Sequence, residues 1–217
     1  HIEASTEETI NFSWHGGEPL MAGLDFFRKA VALQKKHKPY GCKIINGIQT
    51  NGTLVDESWA SFLAEENFTV GISIDGPGDL HNRYRPTPDG KSSLHLTLRG
   101  YEILRNHRIA CEILCVVNSF NVKFPLVVYN FFKQLGAKYI TLLPLVERRP
   151  GTKSGVSRAS VPSLEFGQFL NSVFDEWIEN DIGKIKIQVF EEAARTAFSQ
   201  DHTLCIFKEN CGGVPVV

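Results

Sequence analysis

Short apolar runs with the length of buried strands alternate along the chain with longer stretches whose apolar positions recur at the helical period. The runs fall at 10–14, 43–49, 69–74, 109–117 and 139–143, and the helical stretches at 24–38, 56–66, 94–106 and 122–135. A strand, a crossover helix and a further strand in the same direction build a parallel sheet with helices packed on it, so the pattern predicts an α/β fold. Gly136 closes the fourth helical stretch, because glycine takes the positive φ of a helix stop without strain. After Pro144 the alternation breaks. The stretch 147–155, Glu-Arg-Arg-Pro-Gly-Thr-Lys-Ser-Gly, reads as a surface loop or domain junction. An amphipathic helix is expected over 163–180 and another over 190–198, with a short strand at 185–187 between them. Beyond the strand and helix alternation there is no internal repeat and no low-complexity tract.

With 217 residues, 42% of them hydrophobic, the chain can bury a full-sized core as one domain with an appendage. Its 23 basic and 24 acidic residues nearly cancel. Such a balance sets up no long-range field for a polyanion, and no basic cluster is interleaved with aromatics, so nucleic acid is not an expected partner. No apolar run reaches the roughly eighteen residues of a membrane span, and the polar, acidic opening residues are not a secretory signal. No membrane contact is expected, and the expected address is the cytoplasm. The five cysteines are odd in number and not spaced as a disulfide framework. Cys42, Cys111 and Cys115 begin or lie within apolar runs, where a thiol packs as a small hydrophobe. Cys205 and Cys211 lie beside Asn210, Gly212 and Gly213, where packing explains them less well.

In a parallel array, ligands gather where strands end and helices begin, because helix amino termini and their loops present free N–H groups. The unusual polar motifs all fall there. His15-Gly16-Gly17-Glu18-Pro19 follows the first strand, Gln49-Thr50-Asn51-Gly52-Thr53 the second, Ser73-Ile74-Asp75-Gly76-Pro77 the third and Pro144-Leu145-Val146-Glu147 the fifth. Singly, each is ordinary turn chemistry. Their coincidence at one sheet edge is what points to a site, and paired glycines after a strand let a ligand approach the backbone.

Taken in order, Trp-His-Gly-Gly-Glu-Pro, Gln-Thr-Asn-Gly-Thr, Ser-Ile-Asp-Gly-Pro with His81-Asn82-Arg83-Tyr84-Arg85-Pro86 behind it, and Cys205-x5-Cys211-Gly-Gly-Val-Pro resemble the anaerobic sulfatase-maturating enzymes. These are radical S-adenosylmethionine enzymes with a SPASM-type auxiliary-cluster domain. The resemblance covers nearly the whole chain. It implies a partial (β/α) barrel, strands two to six of six, over 1–150, a helical linker region over 151–200, and the beginning of the truncated auxiliary-cluster domain over 201–217.

The resemblance further implies S-adenosylmethionine and [4Fe–4S] clusters as cofactors of the parent enzyme, an unfolded sulfatase polypeptide as substrate and an electron donor as partner. The implied reaction takes a hydrogen from the β-carbon of a cysteine or serine and oxidises that residue to formylglycine. Gly16, Gly17 and Glu18 match the turn that holds the methionyl amino group, and Ser73 and Arg85 match cofactor contacts, Arg85 being suited to a carboxylate. The lesser alternative for Arg85 is an exposed surface cation. Val146 matches an apolar position beside the adenosine. His15 and Gln49 match positions near the target peptide. Asn51 matches one too, although Asn before Gly is also a turn former. Cys205 and Cys211 match the first two ligands of an auxiliary cluster, half of the usual four.

The Cys-x3-Cys-x2-Cys loop that carries the radical-generating cluster in the family does not occur in this sequence, and Cys111-x3-Cys115 lies in a strand and lacks a third thiol. The chain is therefore expected to be an internal fragment, inert by itself and without a complete cluster, with the general base beyond residue 217. Two other readings compete: a SPASM-type enzyme that crosslinks ribosomal peptides, and a non-catalytic module that binds peptides or regulates sulfatase expression.

Overall fold

The computed structural model describes residues 2–5, 7–149, 151, 155–202, 204 and 207. Six strands form one parallel sheet in chain order: β1 (Thr9–Trp14), β2 (Lys43–Thr50), β3 (Thr69–Ser73), β4 (Cys111–Val117), β5 (Tyr139–Pro144) and β6 (Lys186–Ile187). The crossover helices are α1 (Leu24–His37), α2 (Glu57–Glu65), α3 (Asp79–Asn82) with α4 (Leu94–Asn106), and α5 (Pro125–Gln134). Then α6 (Ser163–Asn180) leads to β6, and α7 (Gln188–Ala197) follows it. The expected α/β partial-barrel reading is borne out. One element joins the sheet from outside the expected barrel segment. The short strand foreseen near 185–187 pairs with β5, Tyr139 opposite Lys186 and Ile140 opposite Ile187, so the sheet has six strands. Its two residues are too few to carry a periodic signal. The indole N–H of Trp177 donates to the Ile185 carbonyl at 2.7 Å and fixes the return to the sheet.

Alternation along each strand divides the residues between two faces. Ile48, Val70, Ile72, Ile113, Cys115, Val117 and Ile140 point to the helices and are buried, packed against Phe27 and Val31 of α1, Leu63 of α2, Leu104 of α4, Phe132 of α5 and Phe169 of α6. The other face is small and polar. Ser13, Gly47, Gln49, Thr69, Gly71, Glu112 and Tyr139 line a cavity of about 360 Å³. Parallel sheets normally bury both faces. Here Ser13 on β1 and Tyr139 on β5 share one cavity although three strands separate them, so the sheet is curled around a lumen.

Local chemistry sets the helix ends. Asp56 accepts the Trp59 N–H at 2.9 Å as the cap of α2, and α5 begins on Pro125 and stops before Gly136, whose φ is +71°. A reciprocal amide pair, Gln34 with Asn46 at 3.0 and 2.8 Å, ties α1 to β2, and the Trp14 indole N–H joins it at 2.9 Å. The last residue of β1, Trp14, is thereby held one residue short of the paired glycines. Cys42, Cys111 and Cys115 are buried free thiols, as packing predicted, and burial pushes the Cys111 thiol up to about 12. They are not a cluster loop. Arg148, in the foreseen surface loop at 147–155, makes an isolated antiparallel bridge to Val156 just past that stretch. Among the described residues no helix is long and apolar enough to cross a membrane.

Candidate active site

At the carboxyl edge of β1 the chain turns through Gly16 (φ +90°) and Gly17 (φ +30°), the left-handed region that favours glycine. A Cβ at either would meet no atom within 4 Å, so the space over this turn is open. His15 before it is exposed. Glu18 after it points inward and gathers three donors: the Leu20 N–H at 3.2 Å, the Thr50 hydroxyl at 2.7 Å and the Asn51 N–H at 2.8 Å. Its carboxylate pins the turn after β1 to the end of β2. This is a charge-assisted cluster made across thirty-two and thirty-three positions of sequence separation.

The second loop is built on the same residues. Thr50 accepts the Gly52 N–H at 3.0 Å, and the Asn51 side chain accepts from the Thr53 N–H at 2.9 Å and the Thr53 hydroxyl at 2.7 Å. The Asn51 side-chain oxygen is thus engaged in its own turn, and the Asn51 carbonyl accepts from the Thr97 hydroxyl of α4 at 2.9 Å. Gln49, two residues before Asn51, is exposed on the lumen face and lines the same cavity as Ser13.

The third loop carries the most constrained group. Asp75 is 2% exposed. Arg85 grips it side-on, Nε at 2.5 Å from one oxygen and Nη2 at 3.1 Å from the other, and the Val116 N–H of β4 donates to it at 2.8 Å. Burial raises the Asp75 carboxyl from its ordinary value, opposed by the Arg85 charge and these hydrogen bonds. The grip uses two of the five guanidinium N–H groups, leaving three for a ligand. Asn121 donates from its side chain to the carbonyls of Asp75 at 3.1 Å and Val116 at 3.0 Å, binding the ends of β3 and β4 together.

His81, 1% exposed, underlies this pair. The Ser93 hydroxyl donates to the Arg85 carbonyl, so it can only accept from His81, at 3.1 Å from Nε2. Nε2 therefore carries the proton, and the bare Nδ1 accepts the Asp75 N–H at 3.3 Å. The network has room for the neutral ring only. Burial first, and the Arg85 charge second, push the His81 pKa down to about 4. The folded pKa lies below the unfolded value near 6.5, so between these values the unfolded chain takes up a proton that the native chain refuses. Stability is complete above pH 6.5 and falls as pH drops toward 4, by on the order of 3 kcal/mol. Thermal melts from pH 7 to pH 4.5 check this. His81→Gln is expected to flatten the profile, and an unchanged slope would remove His81 as its source.

Ser73 ends β3 on the lumen face, opposite Leu114, two residues before Asp75. Asn51 and Arg85 line one pocket of about 420 Å³ with His81 and Ser93. Val146 is 68% exposed beyond β5, its neighbour Leu145 donating to the Val117 carbonyl at 2.8 Å, and no described contact joins it to the other candidates. Cys205 and Cys211 lie outside the described residues. Taken singly, Asp75, His81, Ser93 and Asn121 carry no site signal in the sequence: Asp-Gly-Pro is ordinary turn chemistry, and the other three meet Asp75 and Arg85 only in the fold. The one available signal was an acid ten residues before an arginine that itself had a candidate role. Among the described residues no three His, Cys, Asp or Glu side chains converge as metal ligands. The groups assembled here suit binding and orientation: an open glycine turn, and an anchored guanidinium.

Residues 2–121 match the model of the radical SAM superfamily. The whole chain aligns at 37% identity with 55% of a serine-type anaerobic sulfatase-maturating enzyme of Bacteroides thetaiotaomicron. A cysteine-type enzyme of Clostridium perfringens is 35% identical over 93% of this chain and 55% of its own length. The chain thus spans about half the length of these curated relatives. Native anSMEcpe with bound AdoMet and Kp18Cys peptide superposes with a TM-score of 0.84 at 33% identity, over 94% of this chain and 56% of that one. The likeness expected from the motifs is borne out, and the chain belongs to the radical SAM superfamily.

Proposed function

We propose that this chain supplies the cofactor-orienting and peptide-facing part of an enzyme that oxidises a cysteine or serine of an unfolded sulfatase to formylglycine, working with an electron donor in the cytoplasm. The observation that carries the reading is the pair of devices at one sheet edge: the open Gly16-Gly17 turn held by Glu18, and Arg85 held by Asp75. Relatives named for sulfatase maturation, one serine-type and one cysteine-type, support the substrate class.

S-adenosylmethionine, when bound and reduced, supplies a hydrogen-abstracting radical. The rest is orientation. Arg85 would take the methionyl carboxylate on the N–H groups that Asp75 leaves free, and Ser73 would contact the same cofactor. The Gly16-Gly17 turn would hold the methionyl ammonium, and Glu18, whose oxygens already take three donors from the chain, would act chiefly by shaping that turn. Val146 offers an apolar surface to the adenosine, and His15, Gln49 and Asn51 face the peptide.

Oxidation of serine to the aldehyde removes two electrons and two protons. With cysteine, water additionally replaces sulfide. The full-length protein, reconstituted anaerobically with iron and sulfide, should convert a sulfatase-derived peptide to a product that reacts with a hydrazide, formed alongside 5'-deoxyadenosine. Paired Cys and Ser peptides report which residue is used. A crosslinked product, or no cofactor cleavage in the presence of either peptide, would overturn the reading.

A further inference from the structure

The lumen holds a group that the site at the carboxyl edge does not use. Glu112, second residue of β4, projects into the cavity directly beside Tyr139, the first residue of β5 and its register partner. It is the one charged side chain in that lining, otherwise made by Ser13, Gly47, Gln49, Thr69, Gly71 and Leu114 among others. Other partly or fully buried acids are matched. Asp75 has Arg85, Asp181 has Lys133 at 2.8 Å, Glu66 has Lys35 at 2.6 Å, and Glu18 has its three donors. Glu112 has one hydrogen bond, from the Thr141 hydroxyl, and among the described residues no cation within ion-pair distance. A half-buried carboxylate with most of its acceptor capacity unused is stabilised by a positive charge brought from outside.

We propose that Glu112 and Tyr139 form a subsite for the basic side chain of an extended peptide lying in the lumen. The carboxylate pairs with the guanidinium or ammonium, and the Tyr139 ring, 44% exposed, offers a face to the same cation. The Leu114 and Gln49 side chains lie over Gly71 and the Thr69 hydroxyl over Gly47, and the cavity of about 360 Å³ that they line accommodates a long side chain with its own backbone. Val116, which touches Asp75, lies four residues further along β4 than Glu112. At the rise of a strand this places the subsite about 13 Å from the carboxyl edge. The subsite therefore reads a residue of the peptide distant from the one oxidised.

The inference rests on the peptide-modifying reading and is tested separately from it. The full-length protein is titrated into a fluorescein-labelled sulfatase peptide carrying one arginine, and into its citrulline counterpart, with anisotropy as readout. Wild type is expected to bind the citrulline peptide about tenfold more weakly. Glu112→Gln should lose that factor on the arginine peptide and become indifferent to the exchange, with Tyr139→Leu retaining part of the preference. Equal binding of both peptides by wild type, or a preference that survives in Glu112→Gln, overturns the subsite, as does failure of wild type to bind either. If Glu112→Gln lowers the melting temperature without peptide while the arginine preference persists, the carboxylate serves the chain itself and the proposal falls. Aldehyde formation without arginine preference would sink the subsite alone. Arginine preference through Glu112 without aldehyde would sink the reaction alone.

Discussion

Asp75→Asn is expected to lower the stability of the fold by about 3 kcal/mol or more, because it leaves Arg85 without its counter-charge beside a buried amide. The substituted side chain can still accept the Val116 N–H on the oxygen that faces it. Its NH2 group then turns toward a guanidinium that only donates, at the place where Arg85 Nε now sits 2.5 Å from Asp75. For a chain of this size each kcal/mol is about 2–4 °C, so the melting temperature should fall by roughly 6–12 °C. Freed of its holder, Arg85 should also weaken S-adenosylmethionine binding in the full-length protein by about tenfold, a loss of pre-organisation. The double replacement Asp75→Leu, Arg85→Met separates fold from site. Removing both charges together should recover much of the stability, since a buried ion pair often contributes little over a well-packed apolar pair. Cofactor binding should stay lost. A stable Asp75→Asn protein with unchanged cofactor affinity, measured by calorimetry, would show that the pair holds neither.

Gly100→Ala should be the most damaging small substitution in the helices. Gly100 lies on the buried face of α4 over the loop that follows β2, and a Cβ there would sit 2.2 Å from the Gly52 carbonyl oxygen and 3.2 Å from the Val55 Cβ. The nearest atom is backbone and cannot rotate away. Alanine favours a helix by about 1 kcal/mol over glycine, yet the overlap forces α4 off the loop at a cost of about 3 kcal/mol or more. The displacement would also strain the Thr97 hydroxyl bond to the Asn51 carbonyl and, through Asn51 N–H, the Glu18 cluster. A melting temperature equal to or above wild type would mean that the helix retreats without penalty.

Much of the architecture was legible because it is local. The strands at β1 to β5 are apolar runs whose burial against helices shows as composition, and α1, α2, α4 and α5 carry a helical period long enough to stand out from the loops. The motifs could be assigned to one sheet edge for the same reason: in a parallel array the position of a loop in the strand and helix order already decides its side. Cys42, Cys111 and Cys115 were read as packed from their apolar neighbours, and they are buried. The two-residue β6 was placed as a strand but not in the sheet, since a pair of residues has no period and its partner Tyr139 lies forty-seven positions away from Lys186.

Sequence by itself thus determined the fold class, the edge at which the polar turns gather and the likeness to a radical enzyme. It could not determine which polar groups answer one another. Glu18 was assigned to a ligand, and tertiary structure gives its oxygens to Thr50, Asn51 and Leu20. Asp75 and His81 were spent as turn and motif residues, whereas the fold makes them the support under Arg85. Glu112 lies in an apolar run that gives it no signal in the sequence, and the curl of the sheet places it in a lumen where, among the described residues, no cation pairs with it. The physical reason is the same in each case. Hydrophobic burial is proportional to area and leaves a periodic trace along the chain, while a hydrogen bond or ion pair is decided by a few tenths of an ångström between residues that only the folded chain brings together.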